Sequence, residues 1–447
     1  RHDSGCATFA LVNTSGIYNS ILKSHARAAA LSAYGLDKHG GEVHWLRALH
    51  SQTMQRWKTS RERADVWVID APIGFLARSR DGKDSWYDQA LRQALAGLLQ
   101  QPSSRRYFFL GTDFKIRTSK VKLKLNGTKN SRTVLTAGVK IADHAGPGIS
   151  PDERATAAPG EGGRTVGDPN VGQQRSICVP LVRSNTRLRE PLPFEERTIR
   201  TFFMGRADRN SSGANARHIR GYADRNRVLE FMRSPLVGAG QRGSGAESVS
   251  NGARPIDIFA TTGEGVDEQL GPCAHGCWRE PPGCVGCGQT PELRGLYAKL
   301  LARSKYAWHL RGDVESSSRL YDIIAAGSIP IDAGGVMAPS FPLHDLLPWN
   351  DMTQAAPSAW QMVRAPSVGA AWLAHLSQEA GVAMARSAFA LIRAHRDDLL
   401  WDHNAGQVAC NVLNSAALAM TRPLSSPSST PKAPLPPHPD PPRSTSR

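Results

Sequence analysis

Polar and apolar positions alternate along this chain in two rhythms, one of helices and one of short buried strands. Leu22, Ala26, Ala29 and Ala30 recur at helical spacing over 21 to 33, as do Val43, Leu46 and Leu49 over 42 to 58. The run from Ala64 to Pro72 (ADVWVIDAP) is apolar, β-rich and closed by proline, the pattern of a buried parallel strand whose carboxyl end opens onto a loop. A helical stretch from Tyr87 to Leu99 and a second apolar strand, Arg106 to Asp113, complete a β-α-β unit.

From Asp143 to Gln174 the chain is rich in Gly, Pro and Asp without periodicity and reads as an irregular insertion. Order returns with a strand over 177 to 182. A second organised region follows, with a strand from Arg197 to Gly205 and an Arg-rich helix from His218 to Met232. Residues 236 to 290 are Gly-rich, hold four cysteines and read as another insertion. Next come a helix over 291 to 304, a strand over 306 to 310, a loop over 311 to 317, a helix over 318 to 326 and a strand over 328 to 331. The part beyond Trp349 is mostly helical, with Ala370 to His395 rich in Ala and Leu. The Pro- and Ser-dense residues 422 to 447 cannot build a core and are expected to be disordered.

The pattern predicts an α/β protein of two halves: residues 1 to 190, and residues 191 to 421 followed by the tail. At 447 residues the chain is too long for one core, and its 40% hydrophobic content excludes wholesale disorder. No window is apolar for long enough to span a membrane. Because the chain starts at Arg1 rather than Met, a preceding segment is expected.

Charge narrows the classes of ligand. Fifty-five Lys and Arg against 39 Asp and Glu leave +16, which suits an anionic partner or a solvated basic surface. Local clusters include Lys120, Lys122, Lys124 and Arg217, Arg220, Arg225, Arg227. Of the seven cysteines, Cys273, Cys277, Cys284 and Cys287 lie close together, and their spacing suits two local disulfides or a zinc site. Sequons at Asn13, Asn126 and Asn210 would permit glycosylation in a secretory compartment. A zinc-stabilised nucleic-acid-binding protein is the competing class, but Arg279 is the sole Lys or Arg from 255 to 290, so the basic stripe it requires is missing there.

The chemistry concentrates between Ser304 and Ile331 (SKYAWHLRGDVESSSRLYDIIAAGSIPI). A strand runs into Arg311-Gly312-Asp313, serines at 316 to 318 offer a helix N-cap, and the helix buries Leu320, Ile323 and Ile324 before Gly327 stops it. Free N–H groups at that helix start, flanked by Arg311 and Arg319, make a pyrophosphate site, and Asp322 could accept from ribose hydroxyls. The plain structural alternative is that Ser318 caps the helix and Arg319 pairs with Asp322 or Glu315.

This segment, continued through Pro339-Ser340-Phe341-Pro342 to Leu347-Pro348-Trp349, resembles the C-terminal signature of exostosin-family glycosyltransferases of the plant and algal type. Glu42 to Leu49, Arg61 to Pro72, Phe108 to Asp113 and Arg197 to Gly205 resemble further blocks of that family in order, so the resemblance spans roughly 40 to 355. It implies a GT-B-like fold, two Rossmann-type domains facing a cleft, and inverting transfer of a sugar from a nucleotide donor, a UDP-sugar, to a glycan or glycoprotein acceptor. Arg206, Arg311, Gly312, Ser317, Ser318, Arg319 and Asp322 would hold the donor nucleotide and Asp113 would be the catalytic base, with no cofactor and no metal. It also implies a lumenal Golgi protein, membrane-bound through a preceding anchor, partnered by itself or another transferase, and not by nucleic acid. Thr112 stands where the family tends to have His, which leaves open a catalytically silent partner of an active transferase.

Overall fold

Val66-Trp67-Val68-Ile69 forms a strand buried at every position, as a parallel strand covered on both faces must be. In the computed structural model it is β2 (Val66–Ile69). The described residues are 5–12, 16–36, 40–79, 85–99, 107–110, 134–138, 176–183, 187–188, 190–206, 220–232, 234, 236–237, 256–262, 291–310, 317–334 and 341–421. Around β2 stand β1 (Phe9–Val12), β3 (Tyr107–Leu110), β4 (Val134–Gly138) and β5 (Ser176–Cys178), all parallel, in the order β1-β2-β3-β4-β5. The first half also holds α1 (Ile17–Lys23), α2 (His25–Gly35), α3 (Gly41–Leu49), α4 (Gln52–Gln55), α5 (Ile73–Ser79) and α6 (Ser85–Leu99).

The second sheet is built from β6 (Ile199–Arg206), β7 (Ile256–Thr262), β8 (Ser304–Trp308), β9 (Ile329–Ala333) and β10 (Gln354–Ala356). Its strands are parallel, in the order β10-β9-β8-β6-β7. Numbered within the sheet this is 2-1-3-4-5, a doubly wound order that reverses between β6 and β8. The first sheet shows no reversal among its described strands. The helices of this half are α7 (Arg220–Met232), α8 (Pro291–Ala302), α9 (Ser318–Ala325), α10 (Trp349–Met352), α11 (Ala359–Arg364), α12 (Pro366–His375), α13 (Glu379–Leu399) and α14 (Trp401–Thr421). The protein is therefore mixed α/β with two parallel sheets. No described helix is long and apolar enough to cross a membrane.

Several expectations need correction. The helix expected over 21 to 33 is two, divided at Ser24, whose extended backbone (φ −96, ψ 115) caps both. The stretch 42 to 58 also divides, because the α3 helix closes at His50 and Ser51 is extended. Residues 236 to 290 are not wholly an irregular insertion: Ile256–Thr262 pairs with β6 along seven positions. Asp257 on that strand accepts from Thr201 Oγ1 at 2.8 Å and from the Arg200 guanidinium.

α14, grouped by the sequence with the second half, packs against α3, α4, β2, β4 and β5 of the first. Cys410 on it is disulfide-bonded to Cys6, and Asn414 Oδ1 accepts from the Ala7 N–H at 2.7 Å. Trp401 Nε1 donates to the Pro180 carbonyl at 2.9 Å, and Arg183 pairs with Asp402. Buried Arg197 ties the second sheet together by donating to the carbonyls of Leu192, Ser304 and Ala326 and to Ser328 Oγ. Burial lowers its pKa to about 10, which leaves it charged at neutral pH.

Candidate functional site

Three segments meet at the carboxyl edge of the second sheet. β6 ends at Gly205-Arg206, β8 runs on into His309 and Leu310, and α9 follows Ser317. The strand order reverses between β6 and β8, and the carboxyl ends at such a reversal are the general ligand position in sheets of this kind.

Arg319, the second residue of α9, lays its guanidinium over the Phe203 ring at 4.4 Å and against the Gly205 backbone. A Cβ at 205 would sit 2.2 Å from Arg319 Nη2, so only glycine permits this approach. Arg319 Nη1 is buried without a hydrogen-bond partner among the described residues. Arg225 of α7, also buried, lies 5.9 Å from the same ring. A buried Arg319 nitrogen without a described partner carries a desolvation cost that an anion would offset.

His309 is fully buried at the end of β8, its backbone N–H bonded to the Ile331 carbonyl and its ring edge-on to Phe341 at 5.4 Å. Neither ring nitrogen has a hydrogen-bond partner among the described residues. Burial, reinforced by Arg319 and Arg225, pushes its pKa down to about 3. The imidazole is thus neutral at physiological pH, with one nitrogen able to donate and the other to accept.

Behind Arg319, Tyr297 on α8 lies beside Arg319 and Asp322, and burial followed by the Asp322 charge drives its phenol pKa upward. Asp322 is buried one turn into α9. Its charge acts on the neighbouring Tyr297 phenol. Ser317 has the extended backbone of an N-cap (φ −110, ψ 155), but its side chain makes no capping bond and its Oγ is buried without a described partner. A serine stands at the N-cap as expected, but its side chain does not close the capping bond. Ser318, the first residue of α9, is half-buried beside it. Ser317 Oγ, Arg319 Nη1 and the His309 ring nitrogens are thus buried polar atoms without described partners at one edge of the sheet, groups of the kind that hold a phosphate-like anion.

Of the residues expected from sequence, the structure brings Ser317, Ser318, Arg319 and Asp322 to this edge. Arg206 is placed there by its backbone as the last residue of β6. Asp113, Arg311 and Gly312 lie outside the described residues, as do the Cys273, Cys277, Cys284, Cys287 cluster and the three sequons. The sequence reading missed Gly205, Arg225, Tyr297 and His309 as site residues. His309 had a signal, a polar side chain between Trp308 and Leu310 at the end of a buried strand. Arg225 belongs to a basic cluster, and only the packing of α7 separates it from its solvated neighbours. No family model matches the chain, and no curated protein sequence matches it.

Proposed function

We propose that the protein is a glycosyltransferase that moves a sugar from a nucleoside diphosphate donor, a UDP-sugar, to a hydroxyl of a glycan or glycoprotein. The observation that carries this reading is the set of buried polar atoms without described partners on Ser317, Arg319 and His309 at the strand-order reversal of the second sheet. In transfer with inversion, charge builds on the departing diphosphate; Arg319, Arg225 and the α9 N–H groups would receive it in a site already poor in water. The doubly wound second sheet would be the donor half of a GT-B arrangement and the first sheet its acceptor half. The Cys6–Cys410 disulfide supports an oxidising, lumenal compartment.

Calorimetric titration with UDP, GDP, CDP and ADP tests the reading. One saturable site that prefers UDP and weakens at least about tenfold in Arg319→Ala, the loss of one charge-assisted contact, is the expected result. An absence of binding by all four nucleotides would overturn it.

A further inference from the structure

Other His–Asp pairs occur among the described residues, but they join neighbours along the chain or lack a direct bond between the side chains. His395–Asp398 lies along one helix, His403–Asp397 bridges two consecutive helices, His344–Asp345 are neighbours in sequence, and His44 has only an electrostatic link to Asp402 while its ring bonds to the Gly35 carbonyl. His50–Asp70 differs. His50 closes α3 and Asp70 stands one residue past the end of β2, so two separate elements bring them together at the carboxyl edge of the first sheet. His50 Nε2 lies 2.9 Å from Asp70 Oδ1. The Asp70 side chain is only 12% exposed and so is fixed, whereas that of His50 is 32% exposed and so is reachable. The Tyr18 ring of α1 stacks on the imidazole at 5.2 Å and 25° and limits its rotation.

With Nε2–H donated to Asp70, the Nδ1 lone pair is left as a proton acceptor, and Nδ1 has no partner among the described residues. The His50 backbone N–H donates to the Leu46 carbonyl at 3.1 Å, which holds the residue at the end of α3. The charged and titratable groups around the ring are Asp70 just past β2, Tyr18 from α1 and Arg47 on α3 itself; burial raises the Tyr18 phenol, so it stays neutral.

We propose that His50, positioned by Asp70, is the catalytic base of the transfer. The inference rests on the glycosyltransferase reading. The acceptor hydroxyl gives its proton to His50 Nδ1 while its oxygen forms the new bond to the anomeric carbon. The bond from that carbon to the diphosphate oxygen breaks with its electron pair on phosphate, and the imidazolium then releases the proton to solvent. Tyr18 keeps the ring in place and takes no proton.

The test uses the full chain with a panel of UDP-sugars and a mixture of methyl glycosides as acceptors, following UDP release with pH, with UDP affinity measured in parallel. His50→Gln is expected to retain wild-type UDP affinity, to lose about 100-fold or more in kcat and to lose the acidic limb of the kcat–pH profile. Asp70→Asn should lose about tenfold or more and shift that limb. Turnover in His50→Gln within about threefold of wild type, or loss of turnover in Asp113→Asn alone, overturns the assignment and leaves the transferase reading intact. A wild type that binds UDP yet turns over no donor overturns the working base and marks a silent partner. A wild type that binds no nucleotide overturns both readings.

Discussion

At the scale of single residues, the site depends on two close approaches. Gly205 lets the Arg319 guanidinium lie flat on β6, and a methyl group there would meet Nη2 at 2.2 Å. Gly205→Ala should therefore swing Arg319 away from Phe203 and weaken nucleotide binding about as much as removal of the guanidinium does, with the melting temperature little changed. Calorimetry and a thermal melt separate the two effects. His309 supplies a pH signature. Its folded pKa, near 3, lies below that of an unfolded histidine, so the unfolded state binds the extra proton and stability falls as acid is added below about pH 6.5. At pH 4 the penalty from this residue is about 3 kcal/mol relative to neutral pH. Urea titrations at pH 7 and pH 4 should show His309→Gln losing less stability on acidification than wild type; equal losses would place the proton elsewhere.

Among the elements, α5 depends on a residue far from it in sequence. Glu42, buried on α3, accepts from the N–H of Gly74 at 2.8 Å and from that of Phe75, so the first turn of α5 is capped from another helix. Glu42→Ala would leave two buried N–H groups unsatisfied and should cost about 2–4 kcal/mol, measurable by urea unfolding, whereas Glu42→Gln keeps an acceptor and should cost less. That cap shows what a sequence can and cannot disclose. Strands such as Val66–Ile69 and helices such as Ser318–Ala325 are legible because burial dictates period and composition locally. The strand Phe9–Val12 is too short to register. The strand Ile256–Thr262 is obscured because Gly-rich neighbours outweigh its own β-branched residues, and its membership of the sheet rests on partners more than fifty residues away. The site divides in the same way. Ser317, Ser318, Arg319 and Asp322 belong to one continuous segment with a helix-start pattern and can be read from it. Gly205, Arg225 and Tyr297 come from three other elements, and only the strand order sets them beside Arg319.

For the whole molecule, the decisive feature is α14. It follows the second sheet in sequence but packs on the first, and the Cys6–Cys410 bridge fixes it there across a sequence separation of 404. Closing so long a loop should contribute about 2–5 kcal/mol, most of it by restricting the unfolded chain. The doubly substituted Cys6→Ser, Cys410→Ser protein is expected to melt several degrees lower than wild type, and dithiothreitol should bring wild type to the same value; coincident melts without reductant would show that the bridge does not stabilise the fold.

The same bridge makes the described protein a covalent ring. One protease cut anywhere between residues 6 and 410 would yield a nicked circle rather than two molecules, running as a single band on a non-reducing gel and splitting only on reduction. Two cuts would excise an internal piece and still leave both outer fragments tethered. New chain ends opened in a surface loop, with the old ones fused, would therefore rearrange the order of the sequence while keeping the join that α14 already makes.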